Sequence, residues 1–118
     1  MTVTVGNTTA ATTLTQIQST VFGPICSTCH TGVGTMLPGS QNLTTAANSY
    51  AALVNVASKE QPAVLKVKPN DPTNSYLIQK LEGAAGITGS QMPLGGPPLP
   101  QATIDKIKSW ISAGAQNN

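Results

Sequence analysis

The chain has 118 residues, six lysines, no arginine and four acidic residues, which gives a formal net charge of +2. This length fits one domain, and the lysines are scattered rather than gathered into a basic stripe, so no nucleic-acid partner is expected. No apolar run approaches the roughly 20 residues that cross a bilayer, so the chain is predicted not to span a membrane.

Residues 1–13 are rich in Thr, Asn and Gly, and we predict that they form a flexible N-terminal arm ahead of a single folded domain at 14–118. From Leu14 to Phe22, apolar residues recur at the spacing of one helical face. A Gly-Pro pair at 23–24 predicts that this first helix ends directly before a pair of cysteines.

Three further helices are predicted along the rest of the chain. The second begins at an N-cap, Thr44 or Thr45, and carries apolar residues on one face. The third opens at Asp71, which is followed by a proline suited to the first helical position, and it closes at Gly83. The fourth runs from Gln101 to about residue 113, with isoleucines and the tryptophan at core spacing.

The connections between these helices contain most of the glycines and prolines. Residues 31–42 and 83–100 are too broken for a helix or a strand, and residues 55–69 hold at most a short extended piece. Four helices and almost no strand predict an all-α fold. The second broken segment also holds one soft metal ligand, Met92.

The strongest chemical signal is the segment Cys26-Ser27-Thr28-Cys29-His30, which has the C-x-x-C-H spacing of covalent haem attachment. Two thiols three positions apart on a tight turn can each add to one vinyl group of a haem. The next residue, His30, is then held against one face of the ring, where its imidazole reaches the iron. The chain has no other cysteine or histidine, so chance is a poor explanation of the spacing.

Three other interpretations of Cys26 and Cys29 are weaker. A structural zinc site takes four Cys or His ligands, and this chain has two cysteines and one histidine. A thioredoxin-like redox motif requires a βαβ context, which the predicted helices do not provide. A disulfide across so short a loop would restrict the unfolded chain very little. Covalent haem attachment is therefore the preferred hypothesis.

The sixth ligand of such an iron has to come from elsewhere. The chain has no second histidine, so the choices are Met92, Met36, a lysine, water or an open position. Met92 is the best candidate because it lies far from His30 along the chain, in a Gly/Pro segment that can reach the opposite face of the ring. Met36 lies so close to His30 that it would need a very tight wrap, and we interpret it as a packing residue.

The order of these features resembles the class I cytochrome c family: a helix, C-x-x-C-H, small helices, a Met-Pro segment and a closing helix. The resemblance covers residues 14–115. More narrowly, the pieces VKPNDPTNSYL at 67–77, QMPLGG at 91–96 and WISAGA at 110–115 resemble bacterial monohaem cytochrome c domains, some of which are parts of larger redox proteins.

The resemblance implies a small bundle of about four helices wrapped around one covalently bound haem c. It implies Cys26 and Cys29 as the attachment points. It also implies His30 as the proximal ligand of the iron and Met92 as the distal ligand.

The same resemblance implies that the first and last helices cross, which would bring Phe22 near Trp110 or Ile107 as core residues. Arginine, often a partner of the haem propionates in such proteins, is absent from this chain. Tyr50, Tyr76 and Trp110 are candidate donors to a propionate, and the sequence does not choose among them.

The functional prediction is electron transfer. With His30 and Met92 closing both axial positions no substrate binds, so the chain is predicted to be a carrier rather than an enzyme, with redox proteins as donor and acceptor. The alternative is a ligand-binding or peroxidase-type haem site with an open sixth position. Covalent attachment is typical of the periplasm or another exported compartment, so an exported location is predicted, although residues 1–13 lack the pattern of a secretory signal.

Overall fold

Four helices and two short 3-10 turns provide the regular structure of residues 12–34, 41–93 and 96–118, the parts of the chain that this computed structural model describes. The helices are α1, Leu14–Ile17, which continues into a π-helical turn at Gln18–Phe22; α2, Ala46–Leu53; α3, Tyr76–Glu82; and α4, Gln101–Ser112. The 3-10 turns are Cys26–Thr28 and Pro72–Asn74. Within these residues there are isolated β-bridges but no strand, so the predicted all-α class is confirmed.

α1 starts with a capping box formed by Thr13 and Gln16. The Gln16 amide donates to Thr13 Oγ1 at 3.2 Å, and the Thr13 amide donates to Gln16 Oε1 at 3.0 Å. The predicted first helix covers the same residues as α1 and its π-helical turn together. The difference is the wider last turn, in which the Gly23 amide donates to Gln18 O at 2.8 Å.

α2 begins after Thr45, one of the two predicted N-caps, whose hydroxyl accepts a hydrogen bond from the Asn48 amide at 3.1 Å. After α2 the chain folds back on itself, and two isolated bridges join residues 54–57 to residues 65–67. These bridges correspond to the short extended piece that the sequence predicts.

The third helix differs from the prediction at its start. Asp71 caps the 3-10 turn Pro72–Asn74 instead of an α-helix, and α3 itself begins at Tyr76. Ser75 separates the two elements in an extended conformation, and its hydroxyl donates to Asp71 O at 2.9 Å. The Tyr76 amide donates to Leu65 O at 2.9 Å, so a tertiary hydrogen bond draws the backbone out of a continuous helix.

The core contains apolar residues from all four helices. Phe22, Ile107 and Trp110 are buried members of one cluster, and α1 contacts α4. The cluster also contains Leu14, Ile17, Val21, Leu43, Leu53, Val67, Ile78, Leu81, Leu99, Ile104, Ile111 and Ala115. Cys26 and Met92 are partly buried and pack against it, so the core supports two of the predicted site residues.

Across the described ranges, none of the helices is long and apolar enough to cross a membrane. Most of the predicted N-terminal arm, residues 1–11, lies outside those ranges, and so does Met36. The division of the chain into an arm at 1–13 and a domain at 14–118 therefore stays a prediction.

Candidate functional site

A cleft of ≈ 290 Å³ opens beside the cysteine turn, the segment after α2, and α3. Its lining includes a thiol, an imidazole and a thioether, from Cys26, His30 and Met92. The apolar lining comes from Leu43, Leu53, Leu77 and Leu81, and the polar lining from Gln41, Ser58, Lys59, Glu60, Lys66, Tyr76 and Lys80. Three of the four predicted site residues are therefore brought together in one cavity.

The two cysteines lie on a tight turn, as their spacing predicts. The amides of Cys29 and His30 both donate to Cys26 O, at 3.2 and 3.0 Å. The turn leaves Cys26 half-buried on the cleft, whereas Cys29 is exposed and is not part of the lining; both are free thiols. Burial raises the pKa of the Cys26 thiol to about 11, so this side chain is protonated at neutral pH.

The two ends of the 31–42 segment lie next to each other, and His30 directly precedes the first of them. The Leu43 amide donates to His30 O at 3.0 Å, and Thr31 pairs with Asn42 in a β-bridge. These contacts close the base of the segment and fix the backbone of His30 at the cleft. Met36 lies within this segment and outside the described residues, so its interpretation as a packing residue stays a prediction.

Met92 is half-buried, and its backbone is fixed against α3. The Met92 amide donates to Lys80 O at 3.0 Å. The side chain of the preceding residue, Gln91, donates through Nε2 to Leu81 O at 2.8 Å. These two bonds hold an otherwise irregular segment beside the helix and bring Met92 to the same cleft as His30.

Lysines outnumber acidic residues in the lining of the cleft. Lys59, Lys66 and Lys80 line it, and Glu60 is the carboxylate among the lining residues. Burial lowers the pKa of Lys66, and repulsion by Lys59 lowers it further. A ligand with anionic groups would relieve this repulsion.

Of the three aromatic residues considered as propionate donors, Tyr76 alone lines the cleft. Its hydroxyl donates to Glu60 Oε1 at 2.9 Å. The indole Nε1 of Trp110 donates to Gln116 O at 2.8 Å, so this group is used within the C-terminal segment. Tyr50 is partly buried against the core.

The donor set suits a c-type haem. Thiols for covalent attachment, an imidazole and a thioether are the groups that such a cofactor uses, and the leucines offer an apolar surface to a flat ring. The cleft volume of ≈ 290 Å³ is just below the range of about 300 to 1,000 Å³ typical of small-molecule sites. In the described parts of the chain, no three His, Cys, Asp or Glu side chains gather into a group that could hold a metal ion.

Sequence reasoning missed the charged lining of the cleft. A signal existed for Lys80, because Tyr76, Leu77, Lys80 and Leu81 recur at the spacing of one face of α3, and a lysine among apolar neighbours is unusual there. Glu60 had no such signal, because it belongs to an irregular segment whose position depends on tertiary packing.

Comparisons with protein-family models, with curated proteins and with solved structures found no match to this chain. The functional interpretation therefore depends on two observations from the molecule itself. One is the C-x-x-C-H spacing, and the other is the convergence of Cys26, His30 and Met92 on one cleft.

Proposed function

We propose that this chain is a monohaem cytochrome c domain that transfers electrons through one covalently bound haem c. One observation carries the proposal: Cys26, His30 and Met92 line the same cleft, although a long stretch of chain separates Met92 from the cysteine motif. The motif spacing and the cleft share Cys26 and His30, and the cleft adds Met92 to them.

Each of these residues has a defined role in the proposal. Cys26 and Cys29 supply the thiols for two thioether bonds. His30 supplies the proximal imidazole, and Met92 supplies the distal thioether. The leucines that line the cleft supply an apolar surface for the ring. When bound, the haem c supplies a one-electron ferric/ferrous couple.

Electron transfer is favoured over the alternative of a ligand-binding or peroxidase-type site with an open sixth position. The backbone of Met92 is fixed at the cleft by its bond to Lys80, so its thioether is available to close that position. A peroxidase-type site also needs an acid or base near the iron, and Glu60, the carboxylate of the cleft, is engaged with Lys80 at 3.1 Å. We therefore propose a carrier rather than an enzyme.

The same proposal includes the arrangement of the helices, the partner proteins and the cellular compartment. It includes the cytochrome c-like arrangement, a small helical bundle wrapped around the haem, and redox proteins as donor and acceptor. It also includes the periplasm or another exported compartment, because that is where covalent attachment of this kind is typical.

The test is a set of visible absorption spectra of the oxidised and reduced protein. Wild type is compared with Met92→Ala, and Met36→Ala serves as the matched control. A weak far-red band of the oxidised protein reports a bond between iron and a thioether. Extraction with acidified organic solvent tests attachment, because a haem held by thioether bonds stays with the protein.

The proposal expects a haem that resists extraction and a far-red band that is lost in Met92→Ala and retained in Met36→Ala. A colourless protein, or one that releases its haem, contradicts the assignment of Cys26 and Cys29. A wild-type protein that lacks the band and binds carbon monoxide readily contradicts the role of Met92 and supports the open-site alternative.

A further inference from the structure

The segment that carries Met92 is bonded to an ion pair whose lysine is buried and whose carboxylate is partly exposed. Lys80, on α3, is only 7% exposed, and its Nζ lies 3.1 Å from Glu60 Oε1. The same Nζ donates a hydrogen bond to Thr88 O at 2.8 Å. A buried ammonium that loses its carboxylate partner keeps the cost of its desolvation, so this pair resists separation.

Tyr76 completes the arrangement. Its hydroxyl donates to Glu60 Oε1 at 2.9 Å and accepts a hydrogen bond from the Thr88 amide at 3.0 Å. Both backbone groups of Thr88 are therefore bonded to side chains of α3, and Glu60 contacts both of those side chains. We call Glu60, Tyr76 and Lys80 the Glu60 cluster.

The segment 84–92 is held at further points. Gln61, the neighbour of Glu60, donates through Nε2 to Thr88 Oγ1 at 3.2 Å. At the other end, the Met92 amide donates to Lys80 O at 3.0 Å. Lys80 thus binds the middle of the segment through its side chain and the Met92 end through its backbone.

The backbone of the segment approaches the Glu60 cluster closely at Gly89. A Cβ atom placed there would lie 3.5 Å from Glu60 Oε2 and 3.7 Å from Lys80 Nζ, and the φ angle of +74° favours glycine. Glycines give a released segment more conformational freedom than other residues do. The Glu60 cluster therefore restrains a part of the chain that has little regular structure of its own.

We propose that the Glu60 cluster is a positioning device for Met92: it holds the 84–92 segment against α3, so that the thioether stays at the cleft. This inference rests on the proposed function, which gives Met92 its role as an iron ligand. Glu60, Tyr76 and Lys80 are positioning residues and do not themselves bind the iron. Loss of the carboxylate charge releases the segment and weakens the iron–thioether bond without changing either axial ligand.

Glu60→Gln in the haem-loaded protein is the primary test, and Glu82→Gln is its matched control. Glu82 also lies on an ion pair of α3, 2.6 Å from Lys108 Nζ, but that pair joins α3 to α4. The far-red band is expected to weaken severalfold in Glu60→Gln and to stay unchanged in Glu82→Gln. Hydrogen exchange at the Thr88 and Met92 amides is expected to accelerate about 10- to 100-fold in Glu60→Gln and to stay unchanged in Glu82→Gln. This factor corresponds to the loss of one charge-assisted hydrogen bond.

Tyr76→Phe provides a second variant in case Glu60→Gln does not fold, because it keeps the ion pair and removes the bond to the Thr88 amide. It is expected to weaken the band and to accelerate exchange at Thr88. A thioether-linked haem whose far-red band is the same in wild type and in the folded variants overturns the positioning role alone. A wild-type protein without a thioether-linked haem overturns the proposed function, and this inference with it.

Discussion

Ser49 Oγ donates a hydrogen bond of 2.6 Å to Gln18 Oε1, and this bond joins α2 to the π-helical turn after α1. The Gln18 side chain also donates through Nε2 to Leu43 O at 2.9 Å. Leu43 lines the cleft, so Gln18 links two helices to the wall of the candidate site. Ser49 is 0% exposed and Gln18 is half-buried, so the bond is partly shielded from water.

Replacement of Ser49 by Ala is expected to lower the free energy of unfolding by about 0.5 to 1.5 kcal/mol, because the half-buried Gln18 side chain loses a donor. Urea denaturation measures the change. Ser112→Ala, at an exposed position, is the control and should stay close to wild type. Identical urea midpoints for the two variants would show that the bond contributes nothing.

Gly83→Ala is expected to destabilise the protein by about 1 to 2 kcal/mol, because Gly83 ends α3 with a φ of +65°. A Cβ atom there would also lie 2.8 Å from Gln91 Oε1 and would disturb the side chain next to Met92. Gly86→Ala is the matched control, since a Cβ at that position meets nothing within 4 Å. The prediction fails if thermal unfolding shows an equal decrease in stability for Gly83→Ala and Gly86→Ala.

The Asp71 carboxylate is expected to make stability depend on pH in the acid range. The side chain of Asn74, which donates to Asp71 Oδ2 at 2.8 Å, holds the pKa of Asp71 below its ordinary value of 3.8. The unfolded chain takes up the proton at a higher pH than the folded chain. The ionised Asp71 therefore stabilises the fold above the ordinary pKa of 3.8, and this stabilisation is lost as the pH falls below 3.8 and through the lower pKa of the folded chain.

Urea midpoints measured from neutral to strongly acid pH test this expectation. The urea midpoint of wild type should be higher than that of Asp71→Asn at neutral pH. The difference between the two midpoints should shrink as the pH drops through the range in which Asp71 protonates. A constant difference over the whole range would be inconsistent with a stabilising carboxylate at this position.

Cys26 is expected to react much more slowly with iodoacetamide than Cys29 in the folded chain before haem attachment. Burial raises the pKa of Cys26 from 9.0 to about 11, which lowers its thiolate fraction about a hundredfold, and Cys29 is exposed. Mass spectrometry of peptides after timed alkylation measures both rates. The same reaction in urea is the control, where the two rates should converge; equal rates in the folded chain would refute the difference in burial.

Most of the helices were predictable because their signals are local. The first and fourth helices and the Thr45 cap follow from apolar spacing and from residues within one turn. The start of α3 was not predictable, because the Tyr76 amide bonds to Leu65 O, a partner from another part of the chain. The π-helical turn was not predictable either, because the apolar spacing of residues 18–22 does not distinguish it from an α-helix.

The candidate site was predictable where one short motif carries it. Cys26, Cys29 and His30 follow from their spacing, and Met92 from its soft donor in a broken segment. The ion pair of Glu60 and Lys80 was not predictable, because the two residues belong to different elements and meet only in the folded chain. The sequence therefore indicates which side chains can bind a cofactor, and the tertiary structure shows which contacts keep those side chains in position.

The charged residues that line the cleft, which we call its charged wall, have a consequence for the order of folding; they are Lys59, Glu60, Lys66 and Lys80. The Lys66 amide donates to Val56 O at 2.7 Å, and the Leu77 amide donates to Lys66 O at 2.9 Å, so this wall is joined by bonds between neighbouring parts of the sequence. Short loops close at little entropic cost, and we expect these amides to gain protection early in refolding, which pulsed hydrogen exchange can time. We therefore expect this wall to form before Met92 and the cysteine turn are brought together at the cleft.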